Sequence, residues 1–469
     1  MLDILFINTP LKNYDIEPKY NKQTLPVLGL AYLATYAQKE GLNVEILDAE
    51  EKGIGISQIV NYVNEKNPRW VGLSLLAPTY SLSTAILQGI NKNIQVMLGG
   101  HQARAEHQEI LSDGSIPRID ALIIGEGETR VSAILKNIGN RSALPLVFWR
   151  ENNQIKQGHC SKDEELFWLA PDVNLLPFVN RELLVNDPFR AEDGRMEANM
   201  IASRGCVYNC SFCGAARDCT TDVVPRRRSA ENIFAEQRIL YEKYKVTAFR
   251  FLDELFLSDR FNIQRYIEVL EKNPQLSNIF VWDANGRINV FHQFGKEFIQ
   301  RLKNVGLREI SLGIESGSDD MLKKIGKRNT RSMILPTVRK IMECGISVKG
   351  FFIMGFPSET KEQINETVSV IAELQHLNSC GLPAKFRASV FEFCPYPRTK
   401  EWQNLIQSGK FTKLELQSYT SADITQKGTE KSLYDRDEFS RTLNRSFSEV
   451  PVSEIRSIIA GIMKKQKGR

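Results

Sequence analysis

No run of about 18 uninterrupted apolar residues occurs in this sequence, which excludes a simple membrane-spanning helix. The first residues, MLDILFIN, carry no basic stretch followed by an apolar run and a small-residue cleavage site, so no export signal is expected. No sign of charge dominates either. Lys and Arg total 61 against 56 Asp and Glu, a net charge of +5. That balance gives no electrostatic argument for a nucleic-acid partner. Histidine is scarce, with five in 469 residues. Tandem repeats are absent. Without an export signal, the eight cysteines do not read as a disulfide framework. They read as thiols in a reducing compartment, and the expected location is cytoplasmic.

What is present is an ordinary soluble composition, 42% hydrophobic and 25% charged, in a chain long enough for two or three domains. Residues 1–145 alternate short apolar runs with amphipathic stretches. Leu2–Asn8, Val44–Asp48, Trp70–Leu75, Ile94–Leu98 and Ala121–Ile124 read as strands. Leu28–Glu40, Ile56–Glu65 and Tyr80–Asn91 read as helices. Strands apolar throughout suit a parallel sheet covered on both faces. The expectation is a doubly wound, Rossmann-like domain with its ligand past the carboxyl ends of the strands. Residues 146–192 break the rhythm with a polar stretch and Pro171, Pro177 and Pro188, and are expected to be a strand or two and a connecting segment.

Over 193–400 the alternation returns. Strands are expected at Met200–Ser203, Ala248–Leu252, Ile279–Ala284, Glu309–Ile314, Val348–Met354 and Phe386–Phe393, with helices between them. Six units suit a partial (β/α)6 barrel of TIM type, whose chemistry belongs at the C-terminal mouth of the strands. Residues 401–469 read as a mostly helical accessory segment. The fold class is therefore α/β in both large parts.

The loop after the first expected barrel strand reads Ser203-Arg204-Gly205-Cys206-Val207-Tyr208-Asn209-Cys210-Ser211-Phe212-Cys213. Soft thiolates at this spacing suit an iron–sulfur cube, and three rather than four leave one iron open. A zinc site with Cys219 as fourth ligand is the alternative, and with it a non-catalytic scaffold protein. Zinc sites more often pair two C-x2-C units. The C-x3-C-x2-C pattern, with aromatic Phe212 before the last cysteine, resembles the signature of the radical S-adenosylmethionine (SAM) superfamily. The resemblance implies a [4Fe–4S] cluster on Cys206, Cys210 and Cys213, and SAM chelated by the open iron. It also implies reductive cleavage of SAM to a 5′-deoxyadenosyl radical that takes a hydrogen atom from substrate.

Other residues at strand ends follow from the same resemblance. Glu254, favoured over its neighbour Asp253, stands where the superfamily pairs an acid with the methionyl ammonium. Arg287 is placed to pair with the methionyl carboxylate. Ser311-Leu312-Gly313-Ile314-Glu315-Ser316 is similar to the segment that approaches the ribose. Gly350–Pro357, with Gly355, is similar to the motif that packs on adenine. Cys394-Pro395-Tyr396-Pro397-Arg398-Thr399 carries Arg398 where relatives often have glycine, so the turn is expected to differ. Cys394 and Arg398 are the candidates for contact with substrate.

In the first 145 residues, Leu25–Ala34, Leu47-Asp48-Ala49, Leu98-Gly99-Gly100-His101 and Gly125-Glu126-Gly127-Glu128 fall in the order of a cobalamin-binding domain. Gly99, Gly100, His101, Gly125 and Glu126 are then the cofactor contacts. The Asp-x-His-x-x-Gly motif that supplies a cobalt ligand is replaced by Asn8-Thr9-Pro10-Leu11-Lys12. Both cobalamin bound without a protein base and a domain kept as scaffold stay open. The favoured activity is cobalamin-dependent C-methylation of a small-molecule, secondary-metabolite-like substrate. The rival is cobalamin-independent dehydration, epimerisation or oxidative cyclisation. An external electron donor of flavodoxin or ferredoxin type is implied, and neither nucleic acid nor membrane.

Overall fold

The computed structural model describes residues 1–19, 24–258, 260–420 and 446–467. The chain divides into two compact units. The first holds Met1–Asp187, Asp218–Val224 and the described part of Pro395–Leu443. The second holds Pro188–Arg217, Pro225–Cys394 and the described part of Asn444–Arg469. No helix among the described residues is long and apolar enough to cross a membrane.

The first unit is built on a seven-stranded sheet: β1 (Ile4–Asn8), β2 (Val44–Asp48), β3 (Trp70–Ser74), β4 (Gln95–Gly99), β5 (Ala121–Ile123), β6 (Val147–Glu151) and β7 (Gln154–Gln157). Its spatial order is β2-β1-β3-β4-β5-β6-β7, parallel as far as β5 and antiparallel after it. The central strands are apolar on both faces because helices cover both, and Leu5, Ile7, Val71, Leu73, Val96 and Leu98 are nearly inaccessible. The order of the chain reverses between β1 and β3, where open α/β sheets leave a crevice for a ligand. The stretch expected as connector supplies the β6–β7 hairpin. Its turn residues Asn152 and Asn153 both have positive φ, 51° and 58°, the backbone a two-residue hairpin of matching twist requires.

The second unit carries β8 (Phe189–Arg190), β9 (Met196–Met200), β10 (Ser203–Arg204), β11 (Arg226–Arg227), β12 (Val246–Phe251), β13 (Val281–Arg287), β14 (Leu307–Glu315), β15 (Ser347–Met354) and β16 (Phe386–Glu392). Its large sheet runs β16-β15-β14-β13-β12-β9-β8. All neighbours from β9 to β16 are parallel, and β8 pairs antiparallel on the outer edge. Successive neighbours in chain order, joined by helices and left open at both ends, form a curled half-barrel. The first barrel strand ends at Met200 and not at Ser203 as expected. The Asp253 carboxylate takes the backbone N–H of Ala202, at 2.8 Å, and that of Ser203, and so draws them out of the strand.

The region 401–469 is helical where described, and its two parts belong to different units. Helix Lys413–Thr420 is tied to the first, where Gln417 Nε2 donates to both Glu106 oxygens at 2.9 Å. Helix Val452–Lys467 lies along the edge strand β16 of the second.

Candidate functional site

Asp253 explains how the cysteine loop is held. Fully buried at the end of β12, it accepts from the backbone N–H of Ala202 and Ser203 and from Ser203 Oγ. Burial pushes its carboxyl up to about 6. It is therefore committed to the strand that leads into the loop. The neighbouring Glu254 is exposed, and its charge is felt at Cys206. The structure thus divides two adjacent acids into a scaffold residue and a free carboxylate beside the thiols.

The loop itself is tightly turned. Cys213 N–H donates to the Cys210 carbonyl at 3.1 Å, and Ala216 N–H to that of Cys213 at 3.0 Å. A strap from the turn after β14 closes over it: Ser211 N–H donates to the Ile325 carbonyl at 3.0 Å. Gly326, with φ 70°, presses so close that a Cβ there would lie 3.3 Å from the Asn209 carbonyl oxygen. The three thiols are near enough that each of Cys206 and Cys213 senses Cys210. Burial pushes the Cys213 thiol up to about 12 and raises that of Cys206. Thiols so desolvated ionise only when a cation takes up the charge, which is the condition a cluster supplies.

Arg287, at the end of β13, lies over this loop. Its guanidinium is 3.7 Å from the centre of the Tyr208 ring, and Nη1 is 3.6 Å from Cys210 Sγ. The residue is only 6% exposed, and its Nη2 is buried without a partner. A buried guanidinium nitrogen with no acceptor is costly unless an anion completes the site. Three thiols, an exposed carboxylate and a buried guanidinium with an unpartnered corner thus surround this one loop. Cys219, the fourth ligand of the zinc alternative, instead directs its Sγ to the Arg398 carbonyl at 3.4 Å.

The remaining expected residues fall into two groups. Phe212 meets Phe356 edge to face at 5.4 Å, so the cysteine loop and the Gly355-Phe356 turn after β15 are neighbours. That turn is shaped by Gly355, at φ 91°, and by Glu359, whose Oε2 accepts from both of its N–H groups. Ser311 is half-buried within β14. Glu315 and Ser316 are spent internally. Glu315 is held at φ 70° and accepts from Lys327 Nζ at 2.7 Å, and Gly313 is needed because a Cβ there would meet both side chains. Ser316 is fully buried against Thr367 Oγ1 at 3.1 Å. Cys394 is half-buried beyond β16. Arg228, the last of the consecutive Arg226-Arg227-Arg228, is buried against Glu236, so it serves the scaffold.

In the first unit, Gly99, Gly100 and His101 follow β4, and Gly125 and Glu126 follow β5. Gly100, at φ 93°, admits the close approach of β3, since a Cβ there would be 2.7 Å from the Leu75 carbonyl. His101 sits 3.4 Å from Arg104. Glu126 gives its carbonyl to the fully buried Arg130. Arg398 adopts φ 69°, the left-handed backbone for which glycine is suited, and donates from Nη1 to the Arg104 carbonyl at 3.2 Å. The expected difference at that turn is thus one of side chain, with glycine-like backbone retained.

Sequence reasoning passed over Tyr208, Lys327, Arg104 and Asp222. Tyr208 occupies a variable position of the cysteine motif, and the other three lie in no motif. Lys327 could have been suspected from the need to neutralise Glu315.

Comparison with known proteins places two families on this chain. The radical SAM superfamily matches residues 200–371, and the B12 binding domain residues 21–135. An uncharacterised methyltransferase, PH0819, of Pyrococcus horikoshii is 29% identical over 86% of this chain and 83% of its own. The anaerobic magnesium-protoporphyrin IX monomethyl ester cyclase of Rubrivivax gelatinosus is 23% identical over 75% of this chain and 64% of its own. Two solved structures share the fold. The cobalamin-dependent SAM radical enzyme OxsB matches with a TM-score of 0.60 at 19% identity, over 87% of this chain and 55% of its own. The radical SAM methyltransferase TsrM of Kitasatospora setae matches with a TM-score of 0.62 at 16% identity, over 87% of this chain and 75% of its own. The chain spans little more than half of OxsB. It carries a B12 binding domain over residues 21–135 and a radical SAM domain over residues 200–371.

Proposed function

We propose that this protein is a cobalamin-dependent radical SAM C-methyltransferase acting on a small molecule. The observation that carries the radical SAM part is the cysteine loop with Arg287 Nη2 buried and unpartnered beside it. The methyltransferase part rests on the B12 binding domain joined to it and on relatives that bear that name, including the cytidylyl-2-hydroxyethylphosphonate methyltransferase of Streptomyces wedmorensis, 24% identical. When bound, the cluster with SAM supplies hydrogen abstraction from substrate, and cobalamin supplies the methyl group.

In this reading Cys206, Cys210 and Cys213 hold the cluster. Glu254 receives the methionyl ammonium, and Arg287 the carboxylate with its free corner. The Gly355-Phe356 turn flanks adenine. Gly99, Gly100, His101, Gly125 and Glu126 line the cobalamin crevice. Lys327 neutralises Glu315 beneath the site, and the buried Arg287 offers its free corner to an anion. A flavodoxin- or ferredoxin-type protein delivers the electron in a reducing, cytoplasmic setting.

The test is anaerobic reconstitution with iron and sulfide, then incubation with SAM with and without hydroxocobalamin. The expected result is 5′-deoxyadenosine formation and about four irons per chain, both lost when the three cysteines are changed to Ala. Product heavier by one CH2 marks methylation. Loss of two hydrogens without added carbon would favour oxidative cyclisation instead.

A further inference from the structure

Asp222 belongs to none of the motifs above. In sequence it follows the cysteine loop, yet its segment Asp218–Val224 packs within the first unit. Its side chain is 6% exposed. Oδ2 accepts from Arg104 Nε at 2.9 Å, while Oδ1 is buried with no partner. A carboxylate oxygen in that condition costs free energy until a donor arrives. The carboxylate stands over Gly125: a Cβ there would be 2.8 Å from Oδ2. Gly125 follows β5, and Arg104 lies on the helix that starts at Gly100, just after β4. Asp222 therefore reaches the carboxyl ends of the same two strands that carry the crevice glycines.

The placement is enforced. Arg398 holds the carbonyl of Arg104, and Cys219 Sγ holds the carbonyl of Arg398. Arg398 does so from a left-handed backbone, which a residue with a Cβ adopts only at a cost. A merely space-filling loop would not need a carboxyl group fixed against a glycine with one oxygen left without a partner.

We propose that Asp222 is a ligand-contacting residue of the cobalamin crevice, its Oδ1 accepting from a primary amide on the corrin edge. This rests on the cobalamin reading above. The corrin periphery carries several carboxamide arms, each an N–H donor. A phosphate or carboxylate would be repelled by Oδ1. Arg104 fixes the plane of the Asp222 carboxyl group, so the free oxygen is oriented before the ligand enters.

The test is visible-absorbance titration of the full-length, cluster-reconstituted protein with hydroxocobalamin. Asp222→Ala is expected to weaken binding by about tenfold. Asp222→Asn, which keeps an acceptor oxygen, recovers part of that loss. Iron content matches the parent, and the fall in the corrinoid-free unfolding midpoint from loss of the Arg104 pair is shared by both variants. Unchanged affinity in Asp222→Ala overturns the proposal. So does a loss that tracks a lowered corrinoid-free midpoint and is not eased by Asn, because that marks a purely structural role. If the parent binds no corrinoid, the cobalamin reading fails first, and this proposal goes with it.

Discussion

Arg287 shows how burial turns a common side chain into a specific one. On a surface its guanidinium would be hydrated. Here it is flattened on Tyr208 and leaves one nitrogen pointing at nothing. Arg287→Ala is expected to weaken SAM binding to the reconstituted protein by at least about tenfold, with iron content unchanged. Arg287→Lys should recover only part, because a point charge lacks the planar fork. Equilibrium dialysis with SAM reads both, and parental affinity in the Ala variant would remove Arg287 from the site. The sequence placed this residue at a strand end, and only the structure set it against the cysteine loop. It could not show that Asp253, and not Glu254, is consumed by backbone, since that depends on which acid faces the interior of the half-barrel.

At the scale of elements, the open half-barrel has an edge to protect. Strand β16 would present unpaired backbone groups to any passing strand. Gln466, on helix Val452–Lys467, satisfies one residue of that edge by imitating a strand. Its Oε1 accepts from Ala388 N–H at 2.8 Å, and its Nε2 donates to the Ala388 carbonyl at 3.1 Å. Arg456 adds a bond to Glu392 at 2.8 Å on the same strand. Gln466→Ala should therefore cost about 1–3 kcal/mol, because both partners are left unmet. A denaturant titration measures that cost, and light scattering at rising concentration should show more association. A variant as stable and as monodisperse as the parent would refute the edge-capping role. Helical spacing alone announced this helix, but the strand it covers lies far away in sequence, which period and composition do not encode.

For the molecule as a whole, one buried acid links stability to pH. Glu359 is fully buried, with Oε1 unpartnered, and burial pushes its carboxyl from its ordinary value of 4.5 up to about 7. The folded chain thus binds the proton more tightly than the unfolded chain. Its contribution is full below about pH 4.5 and is lost progressively as pH rises toward about 7, a change of a few kcal/mol. Glu359→Gln should reduce the slope of unfolding free energy across this window, most clearly between about pH 6 and 7, above the value to which burial raises Asp253. An unaltered slope would mean that the proton is not held there.

The pattern of apolar runs and amphipathic helices was enough to establish two α/β bodies, and the cysteine spacing enough to single out the loop proposed to hold the cluster. Both are local properties, carried by residues a few positions apart. Long-range packing settled the rest. It took Asp253 and Ser316 out of solvent and into the scaffold, gave Glu315 to Lys327, and set Asp222 over Gly125 although it is numbered among the barrel residues. The physical reason is that a polar group's role depends on whether a partner meets it in the interior, and the partners come from segments that only folding makes adjacent.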